Sequence, residues 1–223
     1  MTELEAQKWL HSNFDISRET QYRLDAFVGF LKREAESQNL ISASTIDHIW
    51  SRHIGDSAQL LKFLTEDPAP ADWIDLGAGA GFPGLIVAML SNCNVTLVES
   101  RNKRIDYLQR AVAMLDMEKQ VTVVGQPLER VKTAPFSVIS ARAFAPLPRL
   151  FDLAQRFSTN RTLWLLPKGR NAAKEWDEVK PFWNGAFRVE DSVTDSEAGI
   201  LVGYLTEKRG NEASSAAKGQ QAI

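Results

Sequence analysis

Apolar positions recur with two different periods along the chain, and the change between them divides it. Residues 1–66 follow a helical period. Leu24, Phe27, Val28, Leu31 and Ala35 fall at i, i+3, i+4, i+7 and i+11, one face of a helix. Ser17 is placed to cap it, and Glu19 favours the positive end of its dipole. Gln38–Ser42 breaks the pattern, and apolar Leu60, Leu61 and Leu64 follow the polar segment Trp50–Ser57. Asp67-Pro68-Ala69-Pro70 reads as a linker. Beyond it, short apolar runs alternate with amphipathic segments. Strands are expected at Trp73–Leu76, Asn94–Val98, Val121–Val124, Phe136–Ser140 and Arg161–Leu166, with helices at Leu85–Leu90, Arg101–Met117 and Ala173–Val179. Ala186–Val193 and Gly199–Thr206 read as a closing hairpin-like pair. This alternation predicts an α/β fold with a mostly parallel sheet and helices on both faces. The expected organisation is a helical extension over 1–68, the α/β domain over 69–208, and a disordered tail over 209–223, where Ser, Ala, Gly and Gln dominate.

One stretch concentrates the chemistry. Trp73-Ile74-Asp75-Leu76 runs into Gly77, Gly79, Gly81 and Gly84, and a buried helix follows. A strand, a glycine turn and a helix start in that order form a nucleotide-type site. Two registers fit. Gly79-Ala-Gly81-Phe-Pro-Gly84 satisfies G-x-G-x-x-G, the dinucleotide fingerprint. Asp75-Leu-Gly77-Ala-Gly79-Ala-Gly81 reads as D-x-G-x-G-x-G, the loop of S-adenosylmethionine (SAM) methyltransferases. Asp75 favours the second, because a carboxylate repels a pyrophosphate and attracts a sulfonium or ammonium. Pro83 suits a first helical position. The second strand ends in Glu99, about 20 residues past the loop, where an acid meets ribose hydroxyls in either register.

Composition changes the picture little. A length of 223 residues with 44% hydrophobic content supports one α/β domain and an appendage. No apolar run reaches membrane-spanning length, and Met1-Thr-Glu-Leu-Glu lacks the marks of a signal peptide. The single cysteine, Cys93, spells neither an intrachain disulfide nor a metal cluster. These features lead us to expect a cytoplasmic protein with no bound metal and no membrane contact. A net charge of −2 does not advertise nucleic-acid binding, although a local patch is compatible with it. Nothing in the sequence requires more than a monomer.

The remaining candidates gather at expected strand ends. Leu128 and Glu129 follow strand three, where an adenine lies in a doubly wound fold. Arg142 and Phe144 follow strand four and suit a cofactor or base contact and a stacking platform. Lys168 and Arg170 flank Gly169 after strand five and suit RNA phosphate. In the helical part, Arg52 and His53 are further RNA candidates. His53 and Asp56 stand at i and i+3, a spacing that serves either a proton-handling pair or a local stabilising contact, and we favour the latter. Arg101, Lys103, Arg104 and Arg110 read as a solvated helix face.

In combination these segments resemble the bacterial 16S ribosomal RNA guanine-N7 methyltransferases, the glucose-inhibited division protein B family. The resemblance runs from about Leu24 to Lys208. It is carried by Asn39-Leu40, by Arg52-His53-Ile54-Gly55-Asp56-Ser57, by Asp75 through Gly81-Phe82-Pro83-Gly84, by Glu99-Ser100 with Lys103-Arg104, by Ser140 through Ala145, and by Lys168-Gly169-Arg170. Ile41-Ser42 and Gln126-Pro127-Leu128 depart from the family pattern, the latter weakening the main-chain contact at Leu128. The resemblance implies a Rossmann-like class I SAM-dependent fold with a seven-stranded sheet. It also implies SAM contacts at Gly77, Phe82, Leu128, Glu129 and Arg142, and action on 16S rRNA or the small ribosomal subunit. Guanine N7 carries a lone pair and no proton, so its methylation needs positioning and no general base. Competing readings are a SAM enzyme acting on another RNA or a small molecule, and a non-catalytic SAM-binding assembly factor.

Overall fold

The computed structural model describes residues 1–64 and 72–209. The expected linker and the Gly210–Ile223 tail lie outside the described residues. Seven strands form one sheet: β1 Asp72–Leu76, β2 Asn94–Glu99, β3 Val121–Gly125, β4 Val138–Ala141, β5 Leu163–Lys168, β6 Trp183–Asp191 and β7 Gly199–Lys208. Their order is β3-β2-β1-β4-β5-β7-β6. The first five are parallel, and β7 runs antiparallel to both β5 and β6. The chain moves outward from β1 to β3 and then returns to β4 on the other side of β1. A crevice opens at such a reversal, beyond the C-terminal strand ends. Leu76 and Ala141 are in register there, so the loops after β1 and β4 start side by side.

Strand alternation fills two cores. Trp73, Leu97, Val138 and Leu165 face one side, and Ile74, Val98, Ile139 and Trp164 the other. The first side is covered by α4 (Gly84–Leu90) and α5 (Asn102–Met114), and outside them by α2 (Arg18–Ala35) and α3 (Gly55–Ala58), with α1 (Glu3–Asn13) against α3. Leu24, Phe27 and Leu31 of α2 are fully buried in that same core, so the N-terminal helices share the hydrophobic interior of the sheet. Ser17 caps α2, its side chain accepting from the Thr20 amide. Arg110 of α5 forks onto Glu34 of α2 at 2.6 and 2.7 Å. The second side is covered by α6 (Leu147–Ala154) and α7 (Ala172–Val179).

Strands β4 and β5 begin two residues later than expected, and three further boundaries differ for visible reasons. Helix α5 ends at Met114 because Asp116 takes a left-handed φ of 53°, which lets the Met117 amide reach back to Val112. Strand β6 (Trp183–Asp191) ends two residues before the expected Val193, whose amide donates to the Gln59 side chain instead of a ladder partner. Pro83 stands one position before α4, at its cap.

Candidate functional site

The loop after β1 is built almost wholly from satisfied main chain. Gly77, Gly79 and Gly81 have φ of 71°, 57° and 91°, a region that costs other residues about 1–2 kcal/mol. The amides of Gly77 and Ala78 both donate to the Val98 carbonyl of β2, at 2.9 and 3.0 Å. Two carboxylates hold the rest. Glu99 accepts from the amides of Gly79 (3.1 Å), Ser100 (2.7 Å) and Arg101 (2.9 Å). Asp75 accepts from the Gly84 amide at 2.9 Å and from the Ser140 hydroxyl at 2.8 Å, and Ser140 in turn accepts from the Trp73 indole. Asp75 has no exposed surface. Burial pushes its carboxyl up to about 6, against the two hydrogen bonds and the charge of Arg142. It therefore sits behind the loop, capping the first amide of α4, rather than facing solvent as a cofactor contact would.

A cavity of about 170 Å³ lies in front of the loop, lined by Gly77, Glu99, Arg104, Gln126, Leu128 and Phe144 among others. Ala143 adopts a φ of 52° and thereby lays the Phe144 ring on Gly77, where a β-carbon would come within 2.6 Å of it. Leu128 is buried, and its carbonyl accepts from Arg156. Glu129 points away, its carboxylate 4.0 Å from Arg149 on the surface. Phe82 is also absent from the cavity wall. Its ring is 2% exposed, edge-on to Phe27 at 5.5 Å and stacked on His53 at 4.9 Å. The family resemblance implies a SAM contact at Phe82; here its ring packs against the N-terminal segment.

On the far side of Phe144 a groove of about 1200 Å³ opens along the C-terminal strand ends. Arg52, His53, Arg142, Phe144, Lys168 and Arg170 all line it. Arg52 and His53 lie on a single π-helical turn, Trp50–Ile54. Glu3 secures that turn by accepting from the amides of Trp50 (3.0 Å) and Ser51 (2.8 Å) and from the Ser51 hydroxyl (2.7 Å). Each groove cation has an acidic or acceptor partner: Arg52 with Asp195 at 2.7 Å, Lys168 with Glu175 at 2.8 Å, Arg170 with Glu197. Arg142 donates to His53 Nδ1 at 3.1 Å and lies 5.2 Å over the Phe82 ring. Burial lowers its pKa, with Asp56 and Asp75 opposing the shift. His53 and Asp56 do not bond each other: Asp56 takes Thr194 and Gln59, and burial pushes its carboxyl up.

Sequence reasoning missed Thr45, Asp56, Glu175, Asp195 and Glu197 as groove residues. Only Asp56 carried a signal, inside the Arg52–Ser57 segment. The others reach the groove from other elements, and no local pattern marks them. Among the described residues no helix is long and apolar enough to cross a membrane.

Residues 20–197 match the family model described as GidB, rRNA small subunit methyltransferase G. The chain is 53% identical over 208 residues to ribosomal RNA small subunit methyltransferase G of Sphingopyxis alaskensis, covering 92% of this chain and 88% of that one. It is 50% identical over 208 residues to the protein of the same name from Zymomonas mobilis, covering 91% and 93%. Among solved structures, MtNAS in complex with MTA and tNA superposes with a TM-score of 0.60 at 13% identity, over 84% of this chain and 74% of that one, a likeness of fold.

Proposed function

The chain belongs to the rRNA small subunit methyltransferase G family, and from that premise we propose that it transfers a methyl group from SAM to N7 of a guanine in 16S rRNA. One observation carries the reading: Ala143 and Phe144 wall both the small cavity at the glycine loop and the large cationic groove. A nucleoside on one side and a nucleic-acid base on the other would meet at that wall.

The residues present fit the cofactor. The cavity joins an acceptor carboxylate, Glu99, to an apolar side formed by Val98, Leu128 and Phe144. That donor set suits ribose hydroxyls and a purine ring. A β-carbon at Gly77 would collide with the Phe144 ring, so glycine is what lets that ring close the cavity wall. SAM, when bound, supplies an electrophilic methyl on a sulfonium. Glu99 and the main chain at Gly77 and Leu128 would hold its nucleoside. Asp75 would act on it through the loop and through its negative charge. Arg142 and Phe144 would frame the target base, and Arg52, Lys168 and Arg170 would take RNA phosphates. N7 bears no proton, so no residue has to remove one, and orientation supplies the rate. A ribosomal RNA substrate supports action in the cytoplasm.

The test is transfer of labelled methyl from SAM to small-subunit rRNA and particles from a strain lacking this gene, with the modified base identified by mass spectrometry. N7-methylguanosine at one position is expected. SAM binding with no incorporation into rRNA would refute the reading.

A further inference from the structure

His53 lines the groove, yet its hydrogen-bonding capacity is already spent. The imidazole is 8% exposed. Its Nε2 lies 2.9 Å from the Thr45 hydroxyl, and its Nδ1 lies 3.1 Å from Arg142 Nη1. A guanidinium only donates, so Nδ1 must accept, and the ring proton must sit on Nε2. Thr45 agrees with that assignment. Its own hydroxyl proton has an acceptor in the Ser42 carbonyl at 2.9 Å, which leaves an oxygen lone pair for the His53 Nε2–H. The chain of bonds runs Arg142 to His53 to Thr45 to Ser42, and Arg142 Nη1 also donates to the Arg52 carbonyl at 3.4 Å. Both ends of the contact share a platform: His53 stacks on Phe82 at 4.9 Å and 20°, and Arg142 sits over the same ring. Phe82 belongs to the glycine loop, and Arg142 to the loop after β4.

We propose that His53 is a positioning residue. It acts as a neutral acceptor, locked in one tautomer by Thr45, that fixes the Arg142 guanidinium against the cofactor loop at the groove wall. This rests on the methyltransferase reading for the role of Arg142, and it removes His53 from the residues that touch RNA. The charged groups that act on the ring are Arg142 and Arg52. Burial and the two cations keep the ring neutral, with its pKa down to about 3, so it accepts throughout the physiological range.

The decisive experiment is a double-mutant cycle between His53→Ala and Arg142→Ala on the full chain, read as single-turnover methyl transfer to small-subunit rRNA, with RNA affinity measured separately. A positioning role predicts a loss of about 10- to 100-fold for His53→Ala, RNA affinity within twofold or so of the parent, and no further loss when Arg142 is already Ala. His53→Asn, which keeps an acceptor near the Nδ1 position, should recover most of the rate. Additive losses, or a loss confined to RNA affinity, would overturn the proposal. Nitrogen NMR of the His53 ring reads the geometry without catalysis, and also serves if His53→Ala fails to fold. A neutral ring protonated at Nε2, with Nδ1 shifting in Arg142→Ala, is expected. A charged ring, or one protonated at Nδ1, would refute the assignment. Failure of the wild-type protein to methylate rRNA would instead sink the functional reading and leave the NMR result standing.

Discussion

Asp75 and His53 are two buried titratable groups, and they respond to acid in opposite directions. The folded chain binds a proton at Asp75 near pH 6, whereas the unfolded chain waits until about 3.8. Stability from this group therefore grows as pH falls from 6 and is lost as pH rises through 6. The unfolded chain protonates His53 near 6.5, whereas the folded chain refuses the proton until about 3. Stability from this group is present above 6.5 and drains as pH falls below it. Between pH 7.5 and pH 5 His53 costs about 2 kcal/mol and Asp75 returns about 1 kcal/mol. Urea denaturation at the two pH values separates them: His53→Asn should lose less stability on acidification than wild type, and Asp75→Asn should lose more. If both variants track the wild type, the two groups do not titrate as their burial requires. Asp75→Ala has a further cost at any pH. It strips acceptors from the Gly84 amide and the Ser140 hydroxyl, and should destabilise by about 2–4 kcal/mol in the same assay.

At the scale of elements, the glycine loop and the π-helical turn carry the site, and they differ in how legible they were. Gly77 pairs a left-handed φ with a ring pressed against its α-carbon. Gly77→Ala should weaken SAM binding by tenfold or more by titration calorimetry and lower stability by about 1–2 kcal/mol; unchanged affinity would show that Phe144 is not packed on the loop. Density of glycine after an apolar strand announced this element, and strand and helix periods announced the rest of the parallel sheet. The π-helical turn was not legible. Its geometry depends on Glu3, 47 residues before Trp50, and no local pattern links them. Glu3→Ala should cost about 1–2 kcal/mol in denaturation, with any loss of methyl transfer exceeding the loss of SAM affinity, because the turn faces the groove. Phe82 shows the same limit from the other side. The family resemblance implies a ligand contact there, while its neighbours in space, Phe27 and His53, come from the helical segment and place its ring in the core. Contacts set by period or by turn chemistry can be read from the chain; contacts set by where distant segments dock cannot.

Across the whole molecule the charge nearly cancels, at −2, yet cations are collected along one groove, with Arg52, Lys168 and Arg170 each held by an acid. That arrangement has a consequence for binding RNA. A phosphate approaching Lys168 or Arg170 must displace Glu175 or Glu197, so the attraction is reduced by the pair already formed. Exposed pairs contribute little, about 0–1 kcal/mol, and Arg170 with Glu197 is of this kind, with side chains 75% and 58% exposed. Lys168 is more enclosed, at 13%, and its pair is harder to open. Replacing both cations by Ala should reduce the slope of log affinity against log salt by about 1.4, since each single-strand phosphate contact contributes about 0.7. Replacing Glu197 and Glu175 by Gln should raise RNA affinity at low salt, with the larger gain at Glu175, because the enclosed lysine is then released to the phosphate. Filter binding to small-subunit rRNA across a salt series measures both effects. A slope unchanged by removing the cations would mean that RNA follows another path over the protein. A fall in affinity on removing Glu175 would mean that the acid holds Lys168 in the orientation RNA needs rather than competing for it.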